Sequence, residues 1–531
     1  MAVIAAKKMA GVKAPGQSLA PGGTGLIWPG DCIETIAAAV EKNDTIKKGT
    51  GKGIIVTDTI WLPDLRQQDG PKFRALANAL REAARSGVLA PGSRLPPVRA
   101  LAWQLRVTPG TVARAYQIAA AEGVIDSHVG RGSFVARLPL RLGPVQPLLT
   151  ERLDSPFGED GPLDLRIPQL PDIGQTEALR AAMIAAAGAL GDEALDYPPL
   201  AHDRDCRRSL LGWLDGRKLT PPGVDLGPDD LVLTHGGQNG VSLVMAICLT
   251  GEKPRILLES LAYPGIRHLA RQHRAEVVAV AMDDQGMLPE ALDRAARHSG
   301  ARMVCITPSA QNPTCARMGA PRRADIIEVA RHHDLHVLED ECFPASSEGI
   351  TSLRALAPDR VWHVASLSKS LSAGLRLGVV ICPDGMGDAG RLTAQHSFLG
   401  MALPMTAMIT RLMSGGKGEA LIAAVQREFD DRVTLAREIL AGTDVASQDG
   451  LPFLWLRLPH GWTASTFMRR AADQGVLIRS ADEFTATTSG GQPVPNAVRI
   501  AIPGRVGRAR LAAALRRLRA LHDAPPGEFQ V

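Results

Sequence analysis

Residues 366–378 read SLSKSLSAGLRLG, at the end of the apolar run VWHVASLS that begins at Val361. The stretch holds one lysine, Lys369, bracketed by Ser366, Ser368 and Arg376. A lysine amine condenses with an aldehyde, while hydroxyls and a guanidinium suit a phosphate dianion. Taken alone, the stretch reads equally well as a surface loop, and the ends of the neighbouring apolar runs decide between the two.

From residue 164 onward, apolar runs (LVLTH, RILLES, VVAVAM, RMVCITP, HVLEDE, VWHVASLS) alternate with helical stretches. Continuous apolar strands separated by helices predict an α/β domain with a mostly parallel sheet covered on both faces. Ligands gather beyond the carboxyl ends of such strands, so polar residues just after each run are the candidates. Asp340 closes HVLED, and a buried carboxylate facing a pyridine nitrogen keeps that nitrogen protonated. Asn312, in QNPT, offers an amide to a phenolic oxygen. Gly236-Gly237-Gln238 leads into a helix, whose first N–H groups suit a phosphate. Tyr263, in ESLAYPG, is placed to stack on an aromatic ring, with ordinary core packing as the alternative.

These motifs in this order resemble the fold-type I aminotransferases over about residues 164–504, including DYPP near Tyr197 and VRIAI with Arg499. The resemblance implies pyridoxal phosphate as cofactor, with Lys369 forming its Schiff base and Asp340 pairing with the ring nitrogen. It further implies that Asn312 bonds the phenolic oxygen and Tyr263 stacks on the ring. Gly237, Gln238, Ser366, Ser368 and Arg376 are implied to hold the phosphate, with Tyr197 reaching it from a partner subunit, and Arg499 to bind a substrate carboxylate. One departure stands out. Many relatives carry tyrosine where this chain has Phe343, and losing that hydroxyl makes the phenolate form less favourable. The expectation is slower transamination with cofactor binding retained.

Upstream, residues 71–137 hold ten Lys and Arg against three acidic residues, although the whole chain sums to only +5. All of the positive excess therefore lies in this module, as expected when one part meets phosphate backbones and the rest does not. A solvated basic face is the alternative. Phe73, Leu76, Leu80 and Ala84 fall at helical spacing, and Pro91-Gly92 ends that helix. Pro97 suits the first turn of a second helix carrying Leu101 and Leu105. Thr108 offers a cap and Pro109 a pre-set first turn, which predicts a third helix over Pro109–Ala121. Two short β-type runs, Val124–His128 and Ser133–Ala136, then form a hairpin with Arg131 at its tip.

The stretch GSRLPPVRALAWQLRVTPGTVARAYQIAAAEG, followed by GRGSFV, resembles the DNA-binding domain of the GntR superfamily over about 65 residues. That implies a winged helix-turn-helix whose third helix enters the major groove of double-stranded DNA. Arg99, Thr108, Thr111, Arg114 and Arg131 are the implied DNA contacts. Thr108-Pro109 stands where many members carry Ser-Arg, so one common arginine contact is missing.

With 531 residues, 45% of them hydrophobic, the chain predicts two or three domains. Residues 1–70 form an unassigned leader, 71–136 the winged helix and 137–163 a Pro- and Gly-rich linker. Residues 164–525 make the larger domain, expected to split into a large part at about 200–385 and a small part at about 386–525. No run approaches the roughly 18 apolar residues of a membrane span, and the amino-terminal apolar runs are broken by lysines, which predicts a cytoplasmic protein with no membrane partner. Seven scattered cysteines lack metal-ligand spacing and read as reduced core residues, so no metal site is expected.

The two domains in this order are identified as the pattern of the MocR subfamily of GntR regulators. The resemblance implies a homodimer that binds operator DNA and responds to pyridoxal phosphate, or to an amine or amino acid that condenses with it. An active aminotransferase with a secondary DNA-binding domain is the main alternative. A repressor with a cofactor-free domain is disfavoured because Lys369, Asp340, Asn312 and Arg376 are all present.

Overall fold

The structure, a computed structural model, describes residues 61–63, 72–85, 88–90, 92–121, 124–128, 132–136, 161–343, 350–486 and 493–524. The expected leader, most of the linker and the wing tip with Arg131 lie outside the described residues. The chain divides into two compact units, Met1–Leu142 and Gly143–Val531.

In the first unit, α1 (Lys72–Arg85), α2 (Val98–Gln104) and α3 (Pro109–Ala121) precede a hairpin of β1 (Ile125–His128) and β2 (Gly132–Val135). The spacing read from the sequence buries Leu76, Leu80, Leu101, Val112, Tyr116, Ile125 and Val135 in one core. Thr108 Oγ1 accepts the Thr111 N–H at 3.3 Å, satisfying an amide that the first turn of α3 would otherwise leave open. Pro97 is the cap residue before α2 and not, as the sequence suggested, within its first turn.

The second unit is built on a seven-stranded sheet. Its strands are β3 (Leu231–Thr234), β4 (Arg255–Glu259), β5 (Glu276–Val280), β6 (Met303–Ile306), β7 (His336–Glu341), β8 (Val361–Ser366) and β9 (Gly378–Ile381). Their order across the sheet is β3-β9-β8-β7-β6-β4-β5, and only β9 runs antiparallel to its neighbours. β8 is buried along its whole length, as befits a strand covered on both faces. A helix, α4 (Gly237–Cys248), starts three residues after β3.

Gly378, at the start of β9, lies hard against the backbone of the turn that leads into α4. A Cβ there would lie 2.6 Å from the Gly236 carbonyl carbon and 2.8 Å from the Gly237 nitrogen. Backbone cannot swing aside as a side chain does, so Gly378→Ala is expected to destabilise the domain by about 1–3 kcal/mol. The urea midpoint of unfolding checks this, and an unchanged midpoint would refute it.

A second lobe carries a four-stranded sheet of β10 (Val445–Ala446), β11 (Phe453–Arg457), β12 (Arg479–Ser480) and β13 (Ala497–Ala501), in the order β10-β11-β13-β12. The helices Lys417–Ile439 and Arg508–Asp523 pack against it through Phe429, Val433, Leu511 and Leu515. The division between large and small parts differs from the one expected at residue 386. Helix Leu403–Met413 places Met408, Ile409 and Leu412 in the same core as Leu231 and Val379 of the large sheet. The small lobe therefore starts near Lys417. It also recruits Leu163 and Leu165, since Leu163–Asp164 pairs in parallel with Val476–Leu477. Among the described residues, no helix is long and apolar enough to cross a membrane.

Candidate functional site

A cavity of about 1020 Å³ opens beyond the carboxyl ends of β4, β6, β7 and β8, with the small lobe forming its other wall. Lys369 enters it from a short 3₁₀ turn, Leu367–Lys369, directly after β8. Ser366 fixes that turn: its Oγ accepts the Ser368 N–H at 3.2 Å and donates to the Leu377 carbonyl at 3.1 Å. Burial, followed by the charges of Arg499 and Arg376, pushes the Lys369 amine down to about 8, while the nearby Cys342 thiol acts the other way. A depressed amine holds more of its neutral, nucleophilic form at neutral pH.

Asp340 lines the same cavity from β7 and is 8% exposed. Its Oδ1 accepts the Cys342 N–H at 3.1 Å. Burial pushes its pKa above the usual aspartate value, so a cation beside it is what would keep it ionised. Asn312 is oriented by Arg499, whose Nη1 donates to Asn312 Oδ1 at 2.7 Å. The amide nitrogen is thereby left as the end that can donate to something else. The Arg499 guanidinium also bonds the Arg166 carbonyl at 2.8 Å and lies against the rings of Phe484 and Phe453, 4.8 and 5.3 Å from their centroids.

Tyr263 caps the helix Pro264–Gln272 and lines the cavity, with its hydroxyl pushed up to about 12 by burial. Gly237 and Gln238 begin α4, and both line the cavity. Arg376 crosses toward them, donating through Nη1 to Ser368 Oγ at 3.1 Å and through Nη2 to the His235 carbonyl at 3.4 Å. A Cβ on Gly236 would lie 2.5 Å from that guanidinium, and one on Gly237 would lie 2.2 Å from Cys342 Sγ. Glycine is thus required on both sides of the cradle that the turn, the helix start and Arg376 make.

Ten of the eleven cofactor and substrate candidates named from the sequence, all except Tyr197, therefore share one cavity. Tyr197 is 81% exposed and does not line it. Phe343 does line it, stacked edge-on against Phe453 at 5.1 Å and with its ring centre 5.6 Å from Lys369 Nζ. The sequence reading did not nominate Arg479, which stands opposite Arg499 on β12, or Arg505 at the rim. It also missed three buried glutamates. Burial, the leading cause for each, pushes Glu259 and Glu341 up to about 8, with the charge of Glu339 adding to the shift of Glu341. Glu259 stands as a lone acid in an apolar run and Glu339 and Glu341 flank Asp340, and only the fold reveals their partners.

On the winged helix, Arg99 and Thr108 are exposed and Thr111 is half-buried. Thr108 and Thr111 hydroxyls lie 2.9 Å apart. Arg114 is exposed, but its guanidinium stacks 4.4 Å from the Phe73 ring centre. Away from the cavity, Asp293, His332 and His333 bring potential ligand atoms within 4.8 Å of one another, although no metal site was expected. The Asp293 carboxylate is already taken up by His333 at 2.7 Å and Arg297 at 2.8 Å.

Residues 162–518, about two thirds of the chain, match the family described as aminotransferase class I and II. The chain belongs to that family. Residues 73–135 match the bacterial regulatory proteins of the gntR family, so this aminotransferase-family chain carries an amino-terminal GntR helix-turn-helix domain. An uncharacterised HTH-type transcriptional regulator of Bacillus subtilis, YdeF, is 27% identical over 433 residues, covering 81% of this chain and 90% of that protein. The probable rhizopine catabolism regulatory protein MocR of Rhizobium meliloti is 23% identical over 437 residues, covering 77% and 86%. Among solved structures, a kynurenine aminotransferase of Pyrococcus horikoshii superposes with a TM-score of 0.60 at 22% identity, covering 70% of this chain and 93% of that one. That likeness establishes the fold.

Proposed function

We propose that this chain is a cytoplasmic, homodimeric transcription regulator that binds operator DNA through its winged helix and senses pyridoxal phosphate, or an amino acid or amine condensing with it, through its aminotransferase-like domain. The observation that carries this reading is the cavity itself. It joins a depressed lysine amine, a buried carboxylate that needs a cation, and a glycine cradle closed by Arg376, all in a chain whose other unit is a helix-turn-helix.

Those three features fit the cofactor in turn: amine for aldehyde, carboxylate for pyridine nitrogen, cradle for phosphate. Lys369 is the residue that holds it covalently, Asp340 pairs with its ring nitrogen and the Asn312 amide donates to its phenolic oxygen. Gly237, Gln238, Ser366, Ser368 and Arg376 hold the phosphate, and Tyr263 lies against the ring. Tyr197, exposed in its own chain, reaches the phosphate from a second copy. Arg499 holds the carboxylate of an amino acid. When bound, the cofactor supplies an electron sink for an amine joined to it.

Phe343 favours sensing over turnover. Where a tyrosine would add a second hydroxyl donor, this side chain presents only a ring, packed on Phe453. Arg99, Thr108, Thr111, Arg114 and Arg131 are the proposed DNA contacts; for Arg114 this requires the guanidinium to leave Phe73 or to reach a phosphate from where it stacks.

A ligand shifts DNA affinity only by binding one conformation better than another, and couplings of 1–3 kcal/mol, about 5–150-fold, are the ordinary range. The test is binding of the full-length protein to its own upstream DNA, with and without pyridoxal phosphate and a panel of amino acids, beside a transamination assay. The expected result is specific binding that changes at least about fivefold with ligand. Rapid turnover with no specific DNA affinity would instead favour the enzyme reading.

A further inference from the structure

Two arginines face each other across the small-lobe sheet, and the proposed function uses only one. Arg479 on β12 and Arg499 on β13 are direct partners in the antiparallel register. Their side chains therefore leave the same face of the sheet, and both line the cavity. Like charges in directly opposed positions weaken a sheet. Burial first, and then the charge of Arg479, pushes Arg499 down to about 9, so the two guanidiniums are electrostatically aware of each other.

Their hydrogen bonding leaves capacity on each. Arg499 gives one N–H to Asn312 and one to the Arg166 carbonyl, and its Nε has no hydrogen-bond partner among the described residues. The Arg479 side chain is only 12% exposed, and its buried Nε has no hydrogen-bond partner among the described residues. The carboxylate facing it, Glu483 Oε2, is 3.7 Å away, beyond hydrogen-bond length. The other nearby carboxylate, Asp164, is gripped by Arg166 at 2.8 and 2.9 Å. A guanidinium presents a planar fork matched to a carboxylate and stays charged when buried, so two such forks with open edges are suited to two carboxylates.

We infer that the amino acid recognised by this cavity is a dicarboxylic one, held at its α-carboxylate by Arg499 and at its distal carboxylate by Arg479. The inference rests on the reading of the cavity as an amino-acid site. A neutral or aliphatic amino acid would leave the Arg479 fork without a hydrogen-bonded carboxylate, its charge met only by Glu483 at 3.7 Å, and that is the less favourable state from which selectivity arises.

Calorimetric titration of the full-length protein, loaded with pyridoxal phosphate, with L-glutamate against L-glutamine and L-aspartate against L-asparagine tests this, because each pair differs only in the distal charge. At least one acid is expected to bind about tenfold or more tightly than its amide. Arg479→Gln is expected to reduce that preference below about threefold, and Arg479→Lys, which keeps the charge without the fork, to restore part of it. Equal binding of acid and amide by the unsubstituted protein would overturn the inference. So would a preference that survives Arg479→Gln, or one abolished by Arg505→Gln at the exposed rim. If none of the four amino acids binds, the amino-acid reading of the cavity fails first, and the inference with it.

Discussion

Replacing Lys369 by alanine is expected to abolish the Schiff-base absorption band of protein saturated with pyridoxal phosphate, leaving the spectrum of the free aldehyde, and to weaken the response of DNA binding to amines. Lys369 is the one lysine lining the cavity among the described residues, so no other side-chain amine is placed to take over. Arg376, Ser368 and the start of α4 remain in the variant, so the proposed phosphate cradle is kept and weak, non-covalent retention of the aldehyde is expected. Borohydride reduction followed by intact mass measurement separates the cases: a cofactor adduct on the unsubstituted chain and none on Lys369→Ala. An adduct on the variant would show that another amine serves and that the cavity has been misread. The pH dependence gives a second reading of the same group. With the amine pushed down to about 8, each pH unit below 8 removes about tenfold of its neutral form. Cofactor uptake should therefore quicken as pH rises toward 8 and level off above it.

The parts of this molecule that could be read in the sequence are those whose cause is local. Helix α3 runs over Pro109–Ala121 because a hydroxyl cap and a proline in the first turn act on neighbouring amides, and both signals are contiguous in the chain. The cavity residues were legible for a related reason. A parallel sheet sends every strand end to one edge, so polar residues following separate apolar runs converge without any pairing information. Arg479 was invisible by contrast. It sits in a two-residue strand with no periodicity, and it matters only because antiparallel register sets it against Arg499, twenty positions on. The extent of the small lobe was hidden too, since it depends on which core helix Leu403–Met413 buries its apolar face against, and an amphipathic pattern does not name its partner.

Glu339 belongs to the same hidden class, and Glu339→Ala is expected to cost about 3–5 kcal/mol of stability. The carboxylate is fully buried in the middle of β7. Its Oε1 accepts the Leu353 N–H at 2.9 Å, and its Oε2 accepts the Arg354 N–H at 3.1 Å and faces His363 Nδ1 at 2.9 Å. The Arg323 guanidinium, itself 1% exposed, stands 3.6 Å away. Truncation leaves that buried charge and three polar groups without their acceptor, which is far worse than never having had the network. Glu339→Gln keeps one acceptor oxygen and should cost less. Burial works to raise the pKa of Glu339, but the hydrogen bond and charge of His363, with Arg323 and the Leu353 amide, outweigh it and hold the pKa below the usual value. A depressed carboxylate contributes stability above its unfolded pKa, about 4.3, and loses it as pH falls toward the folded value. Urea unfolding followed from pH 7 down to about 3 should therefore show an acid-dependent loss that is reduced in Glu339→Ala, and parallel curves for the two proteins would refute the assignment. Asp340 is the next residue along the strand, so the network that pins Glu339 on one face also fixes the carboxylate that enters the cavity on the other. Saturating pyridoxal phosphate should thus recover part of the lost stability by mass action, and less of it than in a variant damaged far from β7.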